Sequence, residues 1–250
     1  MKSITPNLKN ELINLESIEE RLEVLKDKYV GDTAYLVTCG PSLSNHNVDV
    51  LNDKLKNKLV ISVKQAYDVI PEISDFHLLN TYNLKEYEYR LDDTIVIWSV
   101  SKSYAENQLQ RIQHKPVDIY FPVINPPYIT PQDTIAGLLN FDDMKLLGSR
   151  CEATWGPGMF YEMMMPLCLH LGIKEIITIG WDLKVTDEHI HFYEDRVDCK
   201  PQTGELEQAV ISTNSFYDWC ERNDINLKIM SDINEADDRF ERITLEDINA

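Results

Sequence analysis

Apolar runs separated by polar, helix-patterned stretches organise this chain. Strand-like runs lie at 34–38 (Ala-Tyr-Leu-Val-Thr), 58–63, 76–79, 94–99, 117–122, 175–180 and 226–230. Helical spacing fills most of the intervals, at 47–55, 64–70, 83–90, 102–112, 157–171 and 206–223. Strands that are apolar on both faces and alternate with helices predict a parallel sheet covered on both sides. The fold class is α/β, a Rossmann-like, doubly wound, mostly parallel sheet. Ahead of it, Leu8, Leu12, Leu15, Ile18, Leu22 and Leu25 recur at alternating spacings of four and three. That stripe predicts one amphipathic helix over 7–28, laid on its own domain or forming a homo-oligomer contact. The division is thus an N-terminal helix over 1–30 and one α/β domain over 31–250.

Two stretches break the alternation. Residues 122–134 carry Pro122, Pro126, Pro127 and Pro131 and read as a long loop leading into a helix at 134–146. Residues 183–204 are polar, with His189, His191 and Tyr193. In an open α/β sheet the ligand sits beyond the carboxyl ends of the strands, so this loop is placed to be a lid. The acidic tail, 231–249, has Phe240, Ile243 and Ile248 at helical spacing and reads as a surface helix.

Composition narrows the classes. A chain of 250 residues, 43% hydrophobic, can bury a sizeable core. No apolar run reaches the ~18 residues that span a bilayer, and the charged start lacks the apolar centre of a signal peptide. Five scattered cysteines, without Cys-x-x-Cys, read as reduced thiols, and the expected compartment is the cytoplasm. A net charge of −18 repels nucleic-acid polymers and anionic membranes. An anionic small molecule is accommodated only where local dipoles or a few cations override that field.

Two stretches carry the chemistry. In Ala34-Tyr35-Leu36-Val37-Thr38-Cys39-Gly40-Pro41-Ser42-Leu43, a strand stops at Gly-Pro and helix-start residues follow. Free N–H groups and the positive end of a helix dipole at such a turn suit a phosphate or carboxylate. The second stretch, Thr154-Trp155-Gly156-Pro157-Gly158, is a Gly-rich turn. It leads through a Met-rich helix and a Gly172 cap to a strand ending Gly180-Trp181-Asp182. There is no P-loop, no Gly-x-Gly-x-x-Gly after a strand, no nucleophile elbow and no Asp-x-Asp. His189-x-His191 is half a metal site without an evident third ligand, so no metal is expected.

Gly40-Pro41-Ser42-Leu43, Leu171-Gly172-Ile173-Lys174-Glu175-Ile176 and Gly180-Trp181-Asp182 together resemble the bacterial sialyltransferases of glycosyltransferase family 42. They also resemble a related domain of archaeal-type 6-hydroxymethylpterin diphosphokinases and motility-associated glycosylation factors. The resemblance runs over about residues 34–230 and implies a GT-A-variant sheet that binds a cytidine nucleotide. Its donor contacts fall here on Cys39, Gly40, Pro41, Ser42, Lys64, Gln65, Asn80, Thr154, Trp155, Gly156, Gly158, Asp182 and Lys184. The family has Asn where Cys39 and Lys64 stand, and Tyr where Lys184 stands. Its general base is a histidine in the loop beyond the Gly-x-Asp strand, which corresponds to His191 or His189. Imidazole accepts a hydroxyl proton near neutral pH.

The resemblance therefore implies a metal-independent glycosyltransferase of polysaccharide biosynthesis. It would need no cofactor and would move a sugar from a nucleotide-activated donor to a glycan or small-molecule acceptor. The alternatives are a Mg-dependent diphosphokinase and a non-catalytic nucleotide-binding protein.

Overall fold

The structure, a computed structural model, describes residues 8–80, 85–101, 110, 112–123, 159–184, 186, 191–193 and 203–248. In chain order these form α1 (Leu8–Ile13), α2 (Ile18–Leu25), β1 (Thr33–Val37), a 3-10 turn (Pro41–Asn45), α3 (Val48–Leu55) and β2 (Leu59–Val63). A second 3-10 turn (Lys64–Asp68), β3 (Phe76–Asn80), β4 (Ile95–Ser101) and β5 (Ile119–Val123) follow. Then come a π turn (Phe160–Met164) running into α4 (Met165–His170), β6 (Glu175–Ile179), α5 (Thr203–Arg222), β7 (Asn226–Met230) and β8 (Glu241–Arg242). The seven strands expected from the apolar runs are all present, each boundary within two residues of its expected place.

The strands form one sheet in the order β5-β4-β3-β2-β1-β6-β7-β8. Every neighbouring pair is parallel. The chain steps outward from β1 to β5, then returns to place β6 on the other side of β1. The switch point, where a doubly wound sheet opens its ligand crevice, therefore lies between β1 and β6. Burial of every residue of β2, Leu-Val-Ile-Ser-Val, follows from helices or loops covering both faces.

Two aspartates trim the opposite, amino-terminal edge in the same way. Asp75 precedes β3 and its Oδ2 accepts the N–H of Val60 in β2, at 2.8 Å. Asp118 precedes β5 and accepts the N–H of Val96 in β4, also at 2.8 Å. Asp118 is additionally paired with Lys9 Nζ at 3.1 Å, and its carbonyl accepts Arg21 Nη1 at 2.6 Å. These contacts lash α1 and α2 to the sheet.

The N-terminal stripe is two helices rather than one. Ser17 and Glu20 form a capping box, Ser17 Oγ accepting Glu20 N at 3.1 Å and Glu20 Oε2 accepting Ser17 N at 3.0 Å. Such a reciprocal cap starts a helix afresh in the middle of the heptad pattern. Leu8, Leu12, Leu22 and Leu25 enter the same core as β1, β2 and β3, so the stripe is spent within the chain.

Other departures have local causes. The π turn before α4 arises where Pro166 lacks the N–H of an α-helical ladder, and Met165 N reaches back to Phe160 O. Residues 85–90 are not helical; Tyr87 and Tyr89, two apart, both turn onto His77. The tail is not one continuous helix either; it holds β8 and a short 3-10 turn (Leu245–Asp247). Asn234 Oδ1 takes the N–H of Ala236 at 2.7 Å and Asp237 Oδ1 that of Arg239 at 3.0 Å, local bonds that compete with a helical ladder. Phe240 and Ile248 of that tail are buried.

Replacing Asp118 by Ala should strand the buried N–H of Val96 and take the carboxylate partner from Lys9, lowering unfolding free energy by about 3 kcal/mol. Urea denaturation of the two proteins measures it.

Candidate functional site

The site is built at the carboxyl edge of β3, β2, β1 and β6. Parallel pairing brings their ends to one rim in that order: Asn80, Lys64–Gln65, Cys39–Ser42 and Gly180–Lys184. At the switch point the two central strands stay joined past their ends. Thr38 N donates to Ile179 O and Gly40 N to Gly180 O, both at 2.8 Å. A Cβ on Gly40 would fall 2.2 Å from Gly180 O and 2.5 Å from Asp182 Oδ2, so only glycine fits. Gly180, at φ +75°, turns the chain there.

That turn delivers Asp182 to the 3-10 turn after β1. Ser42 N donates to Asp182 Oδ2 at 2.6 Å, Ser42 Oγ to Oδ1 at 2.5 Å, and Ser231 Oγ to Oδ1 at 2.6 Å. Asp182 and Ser42 are both buried. The cradle that the sequence offers to a phosphate at Gly40-Pro41-Ser42 is thus filled by an internal carboxylate.

Neighbouring groups are likewise committed. Cys39 Sγ lies 3.3 Å from Val63 O, and the Cys39 carbonyl accepts Phe192 N at 2.9 Å. Burial pushes the Cys39 thiol up to about 12, so it stays protonated at neutral pH and is not a thiolate nucleophile. Lys184 pairs with Glu235 at 3.0 Å. Trp181 stacks on Phe160, with ring centroids 4.3 Å apart, and so fastens the rim to the π turn.

The side of the crevice over β2 and β3 is different. Lys64 has φ +45°, a left-handed conformation that is strained for a residue with a Cβ. Gln65 follows it, and Gln65 Oε1 is buried with no hydrogen-bond partner among the described residues. Beneath them His77 is fully buried, its Nε2 at 3.0 Å from Lys64 O and its Nδ1 at 2.9 Å from Tyr89 Oη. Burial lowers its pKa to about 3, so it is neutral.

His191 is half-buried and stacks on Tyr193, with centroids 5.2 Å apart. The Phe192–Cys39 bond ties this segment to the end of β1. His46, just past the Gly-Pro-Ser turn, has a buried Nε2 without a hydrogen-bond partner among the described residues; burial lowers its pKa, against the opposing pull of Asp232 and Asp182. His189, Thr154, Trp155, Gly156 and Gly158 lie outside the described residues.

Sequence reasoning missed His77, Tyr89, Ser231 and His46. The signal for Ser231 is its place directly after β7, matching Ser42 after β1. That for His77 is a polar residue inside the apolar run Phe76-His77-Leu78-Leu79.

No family model and no curated sequence matches this chain. Among solved structures it is similar to the sialyltransferase CstII from Campylobacter jejuni in complex with CMP-3FNeuAc, with 14% identity, 88% of each chain covered and a TM-score of 0.50. A second CstII structure, with cytidine-5'-monophosphate, aligns over 80% of each chain at 13% identity and a TM-score of 0.47. The MAf glycosyltransferase from Magnetospirillum magneticum AMB-1 aligns with 99% of this chain at 13% identity and a TM-score of 0.48. This chain spans 40% of that protein's length. The likeness to CstII confirms the expected Rossmann-like α/β fold.

The buried His77 ties stability to pH. Its pKa is about 3 when folded against about 6.5 when unfolded, so the unfolded state binds the extra proton below about pH 6.5. Stability should fall as pH drops through that window, by about 2 kcal/mol from this group between pH 7 and pH 5. Urea unfolding of wild type and His77→Phe at the two pH values should show the smaller loss in the variant.

Proposed function

We propose that this chain is a glycosyltransferase whose donor is a nucleotide-activated sugar, with cytidine monophosphate as the leaving group. The observation that carries this reading is Gln65 Oε1, a buried acceptor without a partner among the described residues, on the crevice rim of a sheet that shares the CstII fold. An exocyclic amino group such as that of cytosine satisfies such an acceptor, and one hydrogen bond regained in a buried site is worth about 1–1.5 kcal/mol. Lys64 and Asn80, on the same rim, then contact phosphate, ribose or sugar.

In the reaction the acceptor hydroxyl oxygen attacks the anomeric carbon of the donor. The bond from that carbon to the phosphate oxygen breaks, CMP departs with the electron pair, and His191 takes the hydroxyl proton. The displacement is direct and inverting. No cofactor or metal is required when backbone N–H groups and Lys64 meet the charge on the departing phosphate. The Asp182 lock acts as a frame here: it holds the ends of β1, β6 and β7 so that the rim keeps its shape. The acceptor is a glycan or a small hydroxylated molecule.

Thermal-shift measurements with CMP, UDP, GDP and ATP, each with and without Mg²⁺, test the reading, because a ligand that binds only the folded state raises its melting temperature. CMP should stabilise the protein without metal; ATP acting only with Mg²⁺ would point instead to diphosphoryl transfer, and no shift with any nucleotide would overturn both. Gln65→Leu should weaken CMP binding about tenfold by calorimetry. Changing His191 to Ala should cut kcat by about 10²–10⁴ while leaving the CMP dissociation constant unchanged.

A further inference from the structure

We propose that His77 is a positioning residue for the donor crevice, holding the Lys64 peptide in its left-handed conformation and so setting where Lys64 and Gln65 present their side chains. The inference rests on the donor-site reading above for its consequence, but its geometry stands by itself. His77 occupies the second position of β3 and pairs in register with Ser62 of β2, two residues before Lys64. It is fully buried, where an aliphatic side chain would avoid the cost of burying two ring nitrogens.

Both nitrogens are used. A carbonyl only accepts, so the 3.0 Å contact with Lys64 O makes Nε2 the protonated nitrogen. Nδ1 is then the acceptor, and Tyr89 Oη donates to it at 2.9 Å. The tautomer is therefore set by the Lys64 carbonyl, and the Tyr89 hydroxyl, which can donate or accept, fits itself to it as donor to Nδ1. Aromatic rings hold the imidazole in orientation: Tyr67 stacks on it at 4.6 Å and 21°, and Tyr87 meets it edge-on at 4.6 Å and 82°. Tyr67 is fastened in turn by the N–H of Arg90, which donates to its hydroxyl at 3.0 Å.

The peptide so held is strained. Lys64, with φ +45°, is the first residue of the 3-10 turn that carries Gln65, and nothing in its own side chain favours the left-handed region as glycine or asparagine would. A peptide that departs from its relaxed conformation persists only where its surroundings over-determine it. Here the Nε2–H donated to the Lys64 carbonyl is a direct restraint on that peptide plane. Without it, the Lys64–Gln65 turn relaxes and the buried Gln65 acceptor shifts from its place.

The test uses the full chain with His77→Phe, which keeps an aromatic ring in the stack but removes the donor. A second variant, His77→Gln, returns an amide N–H at the reach of Nε2. Calorimetric titration with CMP should show affinity falling on the order of tenfold in His77→Phe, since small misplacements of a binding group cost that much or more, and recovering to within about threefold in His77→Gln. Melting temperature monitors the fold of each. Wild-type affinity in a folded His77→Phe would overturn the proposal, as would equal loss in both variants. If wild type itself binds no CMP, the donor reading falls separately. The crystal structure of His77→Phe then decides: Lys64 leaving the left-handed region supports the positioning role, and Lys64 unchanged overturns it. Should His77→Phe fail to fold, Tyr89→Phe, which leaves the imidazole nitrogens held by the Lys64 carbonyl alone, is read by the same two criteria.

Discussion

The carboxylate of Asp182 is the constraint around which the crevice is arranged. A buried negative charge is tolerable only when its oxygens are met by donors, and here three arrive from two different loops: Ser42 N, Ser42 Oγ and Ser231 Oγ. Those donors follow β1 and β7, while Asp182 follows β6, so one charge ties three strand ends together. The rest of the rim depends on this knot. Gly40 must be glycine because the carboxylate and the Gly180 carbonyl occupy the space a Cβ would need. Glu235 N bonds to Asp182 O at 3.0 Å, and the Asn234 amide bonds to Trp181 O, which brings the segment after β7 into the same frame.

A filled anion hole redirects the functional argument. The dipole at the start of the Pro41–Asn45 turn stabilises a group the protein carries itself, and on the proposed donor reading the nucleotide's contacts lie on the other side of β1. The features left there are the strained Lys64, the unpartnered Gln65 oxygen and Asn80 at the end of β3. The neutral, buried His77 stands under them as the reason that rim has its shape. The crevice is thus asymmetric: over β6 and β7 the Asp182 carboxylate is met by three internal donors, and over β2 and β3 Gln65 Oε1 has no partner among the described residues.

How much of this was legible in the sequence follows from the range of the interactions involved. Strands buried on both faces announce themselves as continuous apolar runs, and all seven of the long ones stand where those runs lie. The Gly172 cap is equally local: its N–H reaches Leu169 O at 3.0 Å and Ile173 N reaches Cys168 O at 2.9 Å, with φ +79° at the glycine. The Ser17–Glu20 capping box was just as visible but lay within a stripe whose period matched a single helix. By contrast, Asp182 and Ser42 meet across 140 positions, and His77 and Lys64 across two strands. Both Gly-Pro-Ser and Gly-x-Asp stood out as motifs. That they neutralise each other is a property of strand order, which spacing along the chain does not contain.

The net charge of −18 gives this internal pairing a further consequence. A protein so acidic repels an anionic donor at long range, and an exposed cradle of N–H groups would have to work against that field. Filling the cradle with Asp182 removes the need, because the carboxylate brings its own tether and loses no translational freedom on binding. The cation nearest the knot in sequence, Lys184, is already paired with Glu235. On the proposed donor reading, recognition at the remaining half of the crevice draws on neutral, directional groups, the amides of Gln65 and Asn80 and the peptide at Lys64, beside the single charge of the Lys64 side chain. Hydrogen bonds of that kind depend on placement within a few tenths of an ångström, whereas a charge tolerates looser placement. A site that relies on them needs its backbone held, which is the physical reason for a buried imidazole, fixed in one tautomer, beneath the one strained lysine of the rim.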